Sequence, residues 1–253
     1  MIDEQSFYHW LMAAWFILSA VTFVVLLAIP APYGRHLRPG WGPRVNARWG
    51  WVLMEGTVVL VFTLFWALGR DPFAVMPLFL LLVWQSHYLY RALVFPFRLR
   101  GDRSMPLVIV LSGMLFNVVN GYINARWLYT LSGRDWDRWW GDPRFAAGLA
   151  LFFIGMAVNH WADHRLRRLR EKGSGGYGIP HGGLYRLVSC PNYLGEIVEW
   201  AGWALLTWSL PGLAFLVWTA ANLVPRALHH HRWYRETFPD YPKGRKAIIP
   251  WLF

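Results

Sequence analysis

Residues 49–66 read Trp49-Gly-Trp-Val-Leu-Met-Glu55-Gly-Thr-Val-Val-Leu-Val-Phe-Thr-Leu-Phe-Trp66, an apolar stretch that encloses one carboxylate. A run this long and this apolar is typical of a transmembrane helix. An ionisable group inside such a helix costs at least about 2.5–3.5 kcal/mol and usually faces a bundle interior or a wet cavity. Glu55 therefore predicts a functional site inside a membrane domain. The alternative is a carboxylate that reaches the interface, since Glu55 lies only about two turns into its segment.

Apolar segments of similar length recur along the whole chain. Hydrophobic residues make up 56% of the 253 residues, and they are grouped in blocks rather than spread as in a soluble domain. Because a span needs about 20 mainly apolar residues, the sequence predicts an all-α, polytopic membrane protein. Its seven transmembrane helices are expected at residues 7–29, 49–68, 73–90, 106–128, 145–161, 193–210 and 213–228. Leu210-Pro211-Gly212 predicts a turn between the last two, because Pro-Gly is a strong turn signal.

The basic residues test this topology, because most of them fall in four regions that seven spans would place on one side. Those regions contain Arg35, Arg38, Arg44 and Arg48; Arg91, Arg98, Arg100 and Arg103; Arg165, Arg167, Arg168, Arg170, Lys172 and Arg186; and Arg226, Arg232, Arg235, Lys243, Arg245 and Lys246. By the positive-inside rule, this side is cytoplasmic. The N-terminus is then outside and the C-terminus cytoplasmic.

Charge and cysteine content exclude several classes of protein. The net charge of +11 is explained by membrane orientation and anionic lipid, so no nucleic-acid partner is expected. Cys190 stands alone, which excludes an internal disulfide and a cysteine-based zinc site. The first segment follows an acidic start and lacks a small-residue cleavage site, so it predicts a retained span. No repeat or linker divides the chain, and we expect a single domain over residues 1–253.

Polar residues at helical spacing mark the cytoplasmic ends of two predicted spans. Asn159 and Asp163 are four residues apart and therefore share a helix face, which Arg167 and Arg170 continue. In the next span, Pro191 suits the first turn of a helix, and Asn192 and Glu196 then line one stripe with either Glu199 or Trp200. The alternatives are a solvated helix end with ion pairs and carboxylates that favour the helix dipole.

A third group lies in the last span, where Arg226, His230 and Tyr234 step by four residues. A metal site built on His229, His230 and His231 is disfavoured, because consecutive helical residues point about 100° apart. The glycine-rich stretch at residues 173–178 lacks the spacing of a dinucleotide fingerprint and predicts a flexible cytoplasmic loop.

Together these groups predict one cavity that opens to the cytoplasm. Arginines with Asp, Asn and Tyr side chains suit an anionic, hydroxyl-rich ligand such as a nucleotide. Glu55 and Tyr88 are expected deeper in the membrane. The alternative for Tyr88 is an aromatic anchor at the membrane interface.

Several motifs follow one another along the chain from about residue 31 to the end: Pro32-Tyr-Gly-Arg35, Trp51-Val-Leu-Met-Glu55, His87-Tyr88 with Arg91, Gly155-Met-Ala-Val-Asn159 with Asp163, Ile179-Pro-His-Gly-Gly-Leu184, Pro191-Asn-Tyr-Leu-Gly-Glu196-Ile-Val-Glu-Trp200, Arg226-Ala-Leu-His-His-His-Arg232 and Tyr241-Pro-Lys-Gly-Arg-Lys-Ala-Ile-Ile-Pro250. This ordered series resembles the steroid 5α-reductase (3-oxo-5α-steroid 4-dehydrogenase) family, and is most similar to its type 2 enzymes. Sterol C14-reductases and isoprenylcysteine methyltransferases carry pieces similar to the last motifs.

The resemblance implies seven helices, a cytoplasmic NADPH site and reduction of the C4–C5 double bond of 3-oxo-4-ene steroids, such as testosterone or progesterone, to 5α-dihydrosteroids. By position, Glu55 and Tyr88 would hold the 3-keto oxygen. The cofactor cavity would be lined by Tyr33, Arg91, Asn159, Asp163, Arg170, Asn192, Glu196, Arg226, His230, Tyr234 and Arg245. The chain departs from the family at Gly178, where the pattern usually has arginine, and at Ser112, where the most similar members carry arginine.

The chemistry of an enone suits these residues. Hydride addition to the β-carbon places negative charge on the carbonyl oxygen, which a fixed hydrogen-bond donor stabilises. Tyr88 can donate, and Glu55 can orient it or, if protonated by burial, donate as well. The proton donor to the α-carbon is not indicated by the sequence.

Two other functions compete with this hypothesis. A membrane methyltransferase that uses S-adenosylmethionine and an isoprenylated thiol would keep the motif of the sixth span and the C-terminal tail, but it has no need for Glu55 opposite Tyr88. A transporter would use Glu55 as an intramembrane relay, yet the inverted repeats common in transporters are not evident. We expect an integral membrane protein of a bacterial inner membrane or the endoplasmic reticulum, with steroid and lipid as partners and with no metal and no obligate protein partner.

Overall fold

The computed structural model describes residues 3–98, 104–172 and 177–252, although the side chains of residues 137 and 170–172 are not described. Seven α-helices lie within this part of the chain: α1 Glu4–Ala28, α2 Ala47–Ala67, α3 Val75–Leu89, α4 Leu107–Arg126, α5 Pro143–Lys172, α6 Pro191–Thr207 and α7 Leu210–Thr237. Two short antiparallel strands, β1 Arg44–Asn46 and β2 Ser104–Pro106, pair with each other. The predicted helical class is confirmed.

Five of the described helices are long and apolar enough to cross a membrane, and they begin at Glu4, Ala47, Val75, Leu107 and Pro143. This supports a multi-pass membrane protein. α6 has only 17 residues, which is the lower limit for a crossing. The second half of α7 carries Arg226, Arg232 and Arg235 among its histidines. α5 extends well beyond the predicted residues 145–161, because its basic C-terminal turns continue the helix past the apolar part.

The connection between α6 and α7 differs from the prediction. The break lies at Trp208 and Ser209, and Pro211 and Gly212 belong to the first turn of α7. Trp208 adopts a left-handed conformation with φ of 44°, and Ser209 caps α7 by accepting a hydrogen bond from the Gly212 N–H. Proline is well suited to a first helical turn because it needs no backbone partner there. The Pro-Gly pair therefore starts a helix instead of ending one.

The chain forms two compact units: unit 1 comprises Met1–Met12 with Ala31–Asp142, and unit 2 comprises Ala13–Pro30 with Pro143–Phe253. In unit 1, α2 packs against α3 and α4. The Phe62 ring of α2 stacks on Trp84 of α3 at 4.3 Å and meets Tyr129 edge-on at 5.7 Å. α3 and α4 each continue into a π-helical turn, Tyr90–Val94 and Trp127–Leu131. Such turns are frequent at functional sites.

In unit 2, α5 and α6 approach so closely that their backbones touch. The contact is made by four glycines, Gly148 and Gly155 on α5 and Gly195 and Gly202 on α6. A Cβ atom at any of them would overlap backbone atoms of the facing helix. Small residues allow this kind of packing in membranes, where helix association depends on van der Waals contact. The close approach brings the polar ends of α5 and α6 together.

Candidate functional site

Glu55 lies on α2 in the interior of unit 1 and is 8% exposed. Its Oε1 accepts a hydrogen bond from Arg91 Nη2 at 3.5 Å, which also forms an ion pair. The Arg91 guanidinium lies between aromatic rings, 4.8 Å from the centre of Trp51 and 4.7 Å from that of Phe95. A buried charge needs a partner, and the π-helical turn that contains Arg91 supplies one. The sequence did not indicate this pair.

Tyr88 is also buried in unit 1, on α3, two residues before the π-helical turn begins at Tyr90. Its ring lies 5.1 Å from Trp84 and 4.9 Å from His87. This packing fixes the position of the ring. Tyr33, which was predicted to line the cofactor cavity, lies in unit 1 as well and is half-buried against Trp51. Tyr33, Arg91, Glu55 and Tyr88 thus belong to one unit, and the remaining predicted residues belong to the other.

Unit 1 contains a row of buried amides that the sequence analysis missed. Asn117 on α4 donates from Nδ2 to the carbonyl oxygen of Met54 at 2.7 Å, directly beside Glu55. Asn124 donates to Asn120 one turn along the same helix. On α3, Gln85 donates to the backbone carbonyl of Val59 and to Thr63, both on α2. Asn117, Asn120 and Asn124 are spaced three and four residues apart and therefore share a helix face. Amides at this spacing within an apolar span could have indicated the buried polar row.

In unit 2 the predicted polar residues of α5 and α6 form a continuous network. Asn159 is 3% exposed and donates from Nδ2 to the Asn192 carbonyl oxygen at 2.9 Å and to Glu196 Oε2 at 3.3 Å. Asn192 donates in turn to Asp163 Oδ1 at 3.1 Å. Glu199, one turn beyond Glu196, is fully buried. The structure therefore brings together the two constellations that the sequence placed on separate helices.

The predicted residues of α7 lie against α6 and the C-terminal segment. Arg226 Nε donates to the Tyr193 hydroxyl at 3.0 Å, and the His230 ring lies 5.5 Å from that of Tyr193. Tyr234 stacks on Tyr241 with ring centres 5.2 Å apart and planes 10° from parallel. α6, α7 and the segment after α7 thus contribute to one polar region.

Arg245 is the most deeply buried arginine of this region, with 4% of its surface exposed. Its guanidinium lies 5.0 Å from the centre of the Tyr241 ring. Within the described residues, neither Nε nor Nη1 has a hydrogen-bond acceptor. A buried cation with unsatisfied donors is costly. Arg245 is therefore suited to hold an anion.

The three consecutive histidines contact three different neighbours. His229 Nε2 is 2.9 Å from the Leu26 carbonyl oxygen, His230 lies beside Cys190, and His231 Nδ1 is 2.6 Å from the Ser189 hydroxyl. Within the described ranges, no group of three or more His, Cys, Asp or Glu residues could hold a metal ion.

Two groups outside the membrane-spanning helices have shifted pKa values. Burial lowers the pKa of His231, and the charges of Arg235 and Lys246 lower it further. Burial raises the pKa of Tyr241, although its hydrogen bonds with Ser189 and Arg245 oppose that rise. Both groups are therefore held neutral near physiological pH.

Some predicted features fall outside the described part of the chain. These are the Arg170 side chain and residues 173–176 of the glycine-rich loop. Gly178 is described and lies beside Leu169. Ser112 is exposed on α4 and donates to the Val108 carbonyl oxygen of its own helix.

Comparison with known proteins identifies the family. Residues 103–253 match the sequence profile described as 3-oxo-5-alpha-steroid 4-dehydrogenase. Steroid 5-alpha-reductase DET2 from Gossypium hirsutum is 42% identical over 263 aligned residues, which cover 100% of both chains. DET2 from Arabidopsis thaliana is 38% identical over 259 residues, covering 100% of this chain and 99% of the relative. The 3-oxo-5-alpha-steroid 4-dehydrogenase 1 of Bos taurus is 42% identical over 245 residues, covering 93% of each chain.

The profile covers more than half of the chain, and these relatives align over nearly all of it. The resemblance read from the motifs is confirmed. The chain is an oxidoreductase that belongs to the steroid 5α-reductase, or 3-oxo-5-alpha-steroid 4-dehydrogenase, family.

Proposed function

We propose that this protein uses NADPH to reduce the C4–C5 double bond of 3-oxo-4-ene steroids, giving 5α-dihydrosteroids. The family and the names of the relatives support reduction of a steroid. The observation that carries the cofactor assignment is Arg245, a buried guanidinium with two donors that find no acceptor among the described residues. An anionic cofactor would satisfy it.

The residues of unit 2 fit a dinucleotide phosphate. Arg245 and Arg226 would meet its phosphates, because a guanidinium binds phosphate in a defined fork geometry. Asp163 would accept hydrogen bonds from ribose hydroxyls, and Asn192 and Glu196 would complete the polar wall. Asn159, Arg170, His230 and Tyr234 of unit 2, and Tyr33 and Arg91 of unit 1, are the remaining proposed contacts. When bound, the nicotinamide supplies the hydride.

In unit 1, Tyr88 and Glu55 are the residues proposed to act on the steroid carbonyl. The Tyr88 hydroxyl would donate a hydrogen bond to the 3-keto oxygen and stabilise the enolate that forms as the β-carbon is reduced. Glu55 would orient that donor. The ion pair with Arg91 supports this role, because it restrains one oxygen of the carboxylate and thereby its orientation. The enolate then gains a proton at the α-carbon.

The proposed topology has seven membrane spans, with the N-terminus outside and the cofactor site facing the cytoplasm. Five helices satisfy the length and hydropathy of a span, and the distribution of arginine supplies the orientation. α6 and the first half of α7 would complete the seven. Because the relatives align with nearly all of the chain, we propose that residues 1–253 act as one domain.

One assay tests this function. The purified protein in detergent is mixed with NADPH and either testosterone or progesterone, and both cofactor oxidation and product stereochemistry are measured. We expect steroid-dependent oxidation of NADPH and a 5α product. Retention of S-adenosylmethionine with methyl transfer, and no steroid product, would contradict the proposal.

A further inference from the structure

The hydroxyl of Ser189 lies at a junction of three segments in unit 2. Its Oγ is 2.6 Å from His231 Nδ1 on α7, 2.6 Å from the Tyr241 hydroxyl and 3.1 Å from the Lys246 carbonyl oxygen. Ser189 is 3% exposed and lies two residues before Pro191, the first residue of α6. Neither the sequence motifs nor the proposed reaction assigned it a role.

The donors and acceptors at this junction can all be satisfied at once. The Lys246 carbonyl oxygen can only accept, so the single Ser189 proton is directed to it. The two lone pairs of the Ser189 oxygen then accept from the Tyr241 hydroxyl and from His231 Nδ1–H. Every polar atom of the cluster thereby gains a partner, as buried polar groups require. The arrangement is a complete network rather than a chance contact.

The same network holds both sides of Arg245. The Lys246 N–H donates to the Leu187 carbonyl oxygen at 2.9 Å, and its carbonyl oxygen also accepts from the Ser189 N–H at 2.8 Å. Lys246 is thus fixed through its backbone immediately after Arg245. Tyr241, the ring beside the Arg245 guanidinium, is fixed through its hydroxyl.

We propose that Ser189 is a positioning residue for the cofactor site, which it serves by fixing Tyr241 and Lys246 on either side of Arg245. The inference rests on the proposed NADPH site and deepens it. Ser189 itself needs no contact with the cofactor. Its removal would release the C-terminal segment and misplace the guanidinium.

The test begins with Ser189→Ala in the full-length protein, with NADPH affinity measured directly by titration. His231 Nδ1 loses its partner, and the Tyr241 hydroxyl and the Lys246 carbonyl oxygen each lose one of theirs, so we expect the dissociation constant to rise about tenfold or more. Turnover at saturating NADPH and the KM for steroid should change little. The matched control is Ser19→Ala, since Ser19 is a buried serine of the same unit that donates only to the Phe16 carbonyl oxygen of its own helix. Its NADPH affinity should equal that of the wild type.

A double-mutant cycle separates positioning from general destabilisation. If Ser189 acts through Arg245, then Ser189→Ala should weaken NADPH binding little further in an Arg245→Gln background. Tyr241→Phe, a milder change that removes one hydroxyl, should show part of the loss and the same dependence on Arg245. Multiplicative losses in the cycle would overturn the inference, and so would unchanged affinity in Ser189→Ala.

The proposed reaction and this inference fail in different ways. A wild-type protein that binds NADPH but reduces no 4-ene-3-one steroid would overturn the reaction alone. Wild-type activity combined with full NADPH affinity in Ser189→Ala and Tyr241→Phe would overturn the positioning role alone.

Discussion

The two units bury polar groups of different kinds. In unit 1 the interior polar residues are mostly neutral amides that bond to helix backbones, and Glu55 is paired with Arg91. In unit 2 the polar interior combines amides with carboxylates and includes a buried guanidinium with donors left over in the described structure. The first environment suits an apolar ligand with one polar end. The second suits a charged ligand rich in hydroxyls.

The largest expected effect comes from unit 1. Tyr88→Phe removes a single hydroxyl donor and should lower turnover by about 10²–10³-fold, as loss of one oxyanion donor does. Glu55→Gln should lower turnover at least as much. It replaces an ionisable carboxyl group near the steroid carbonyl with an amide, which cannot ionise, and the side chain keeps nearly the same size. If the two residues act as a unit, the double variant should be little worse than the poorer single variant. Steady-state turnover at saturating steroid is the measurement.

Cofactor affinity distinguishes this effect from misfolding. All three unit 1 variants should bind NADPH as the wild type does. Tyr90→Phe, two residues beyond Tyr88, is the matched control, since its hydroxyl accepts a hydrogen bond from the exposed Arg98 and is assigned no role in the proposed reaction. Near-normal turnover in either single variant would show that the residue is structural.

The second effect belongs to unit 2. Arg245→Gln should weaken NADPH binding by about one to two orders of magnitude, because a hydrogen bond to a charged group contributes about 1.5–3 kcal/mol. Asp163→Ala and Asn192→Ala should weaken NADPH binding as well, while steroid selectivity stays unchanged. Titration of each variant with NADPH provides the measurement. Unchanged affinity in all three would mean that the charged interior of unit 2 serves another ligand.

We also expect NADPH to be a much better cofactor than NADH. The excess of arginine in the segments assigned to the cytoplasm suits the additional 2′-phosphate. The ratio of kcat/KM for the two cofactors tests this directly, and equal values would contradict it.

Much of the difference between the polar interiors of the two units was predictable from the sequence, because it depends on the local spacing of polar residues. Asn159 and Asp163 on one helix, and Asn192 and Glu196 on the next, were grouped from steps of four residues, and hydrogen bonds join the two pairs in the structure. What spacing cannot give is a pairing between distant segments. The Glu55–Arg91 pair depends on a π-helical turn, and no residue type reliably marks such a turn.

The ends of elements show the same limit. The left-handed conformation of Trp208 ends α6 without the glycine that usually signals it. Ser189 meets Tyr241 across 52 positions of the sequence. Only the folded chain shows that the segment after α7 returns to the start of α6.

A fourth prediction concerns the glycine contact of α5 and α6, which supports the polar region of unit 2. Gly155→Ala should lower the free energy of unfolding by about 1–3 kcal/mol, because the added methyl overlaps the Glu199 backbone. Gly56→Ala is the control, since a Cβ there meets nothing within 4 Å and the helix gains propensity. Thermal unfolding in detergent should show opposite signs for the two variants. If Gly155→Ala were as stable as Gly56→Ala, then α5 and α6 would be packed less tightly than the structure shows.

The smallest expected effect is on pH dependence in unit 2. The pKa of His231 is lowered in the folded protein, so the unfolded chain binds the proton more tightly. The folded protein therefore keeps the full contribution of His231 to its stability above pH 6.5, the ordinary pKa of histidine. It loses part of that stability as the pH falls below 6.5 toward the lower pKa of His231 in the folded state. Wild type should therefore lose more thermal stability between about pH 7.5 and about pH 5.5 than His231→Gln does. Parallel losses would show that His231 does not contribute.

The return of the C-terminal segment to α6 has a consequence for biosynthesis. The ribosome adds Tyr241, Arg245 and Lys246 after the described helices, yet these residues complete the polar region that begins at Ser189. We therefore expect the chain to acquire its affinity for NADPH only after residues 241–246 have been made and have packed beside Ser189. A released chain that is truncated before Tyr241 should be integrated in the bilayer but unable to retain the cofactor.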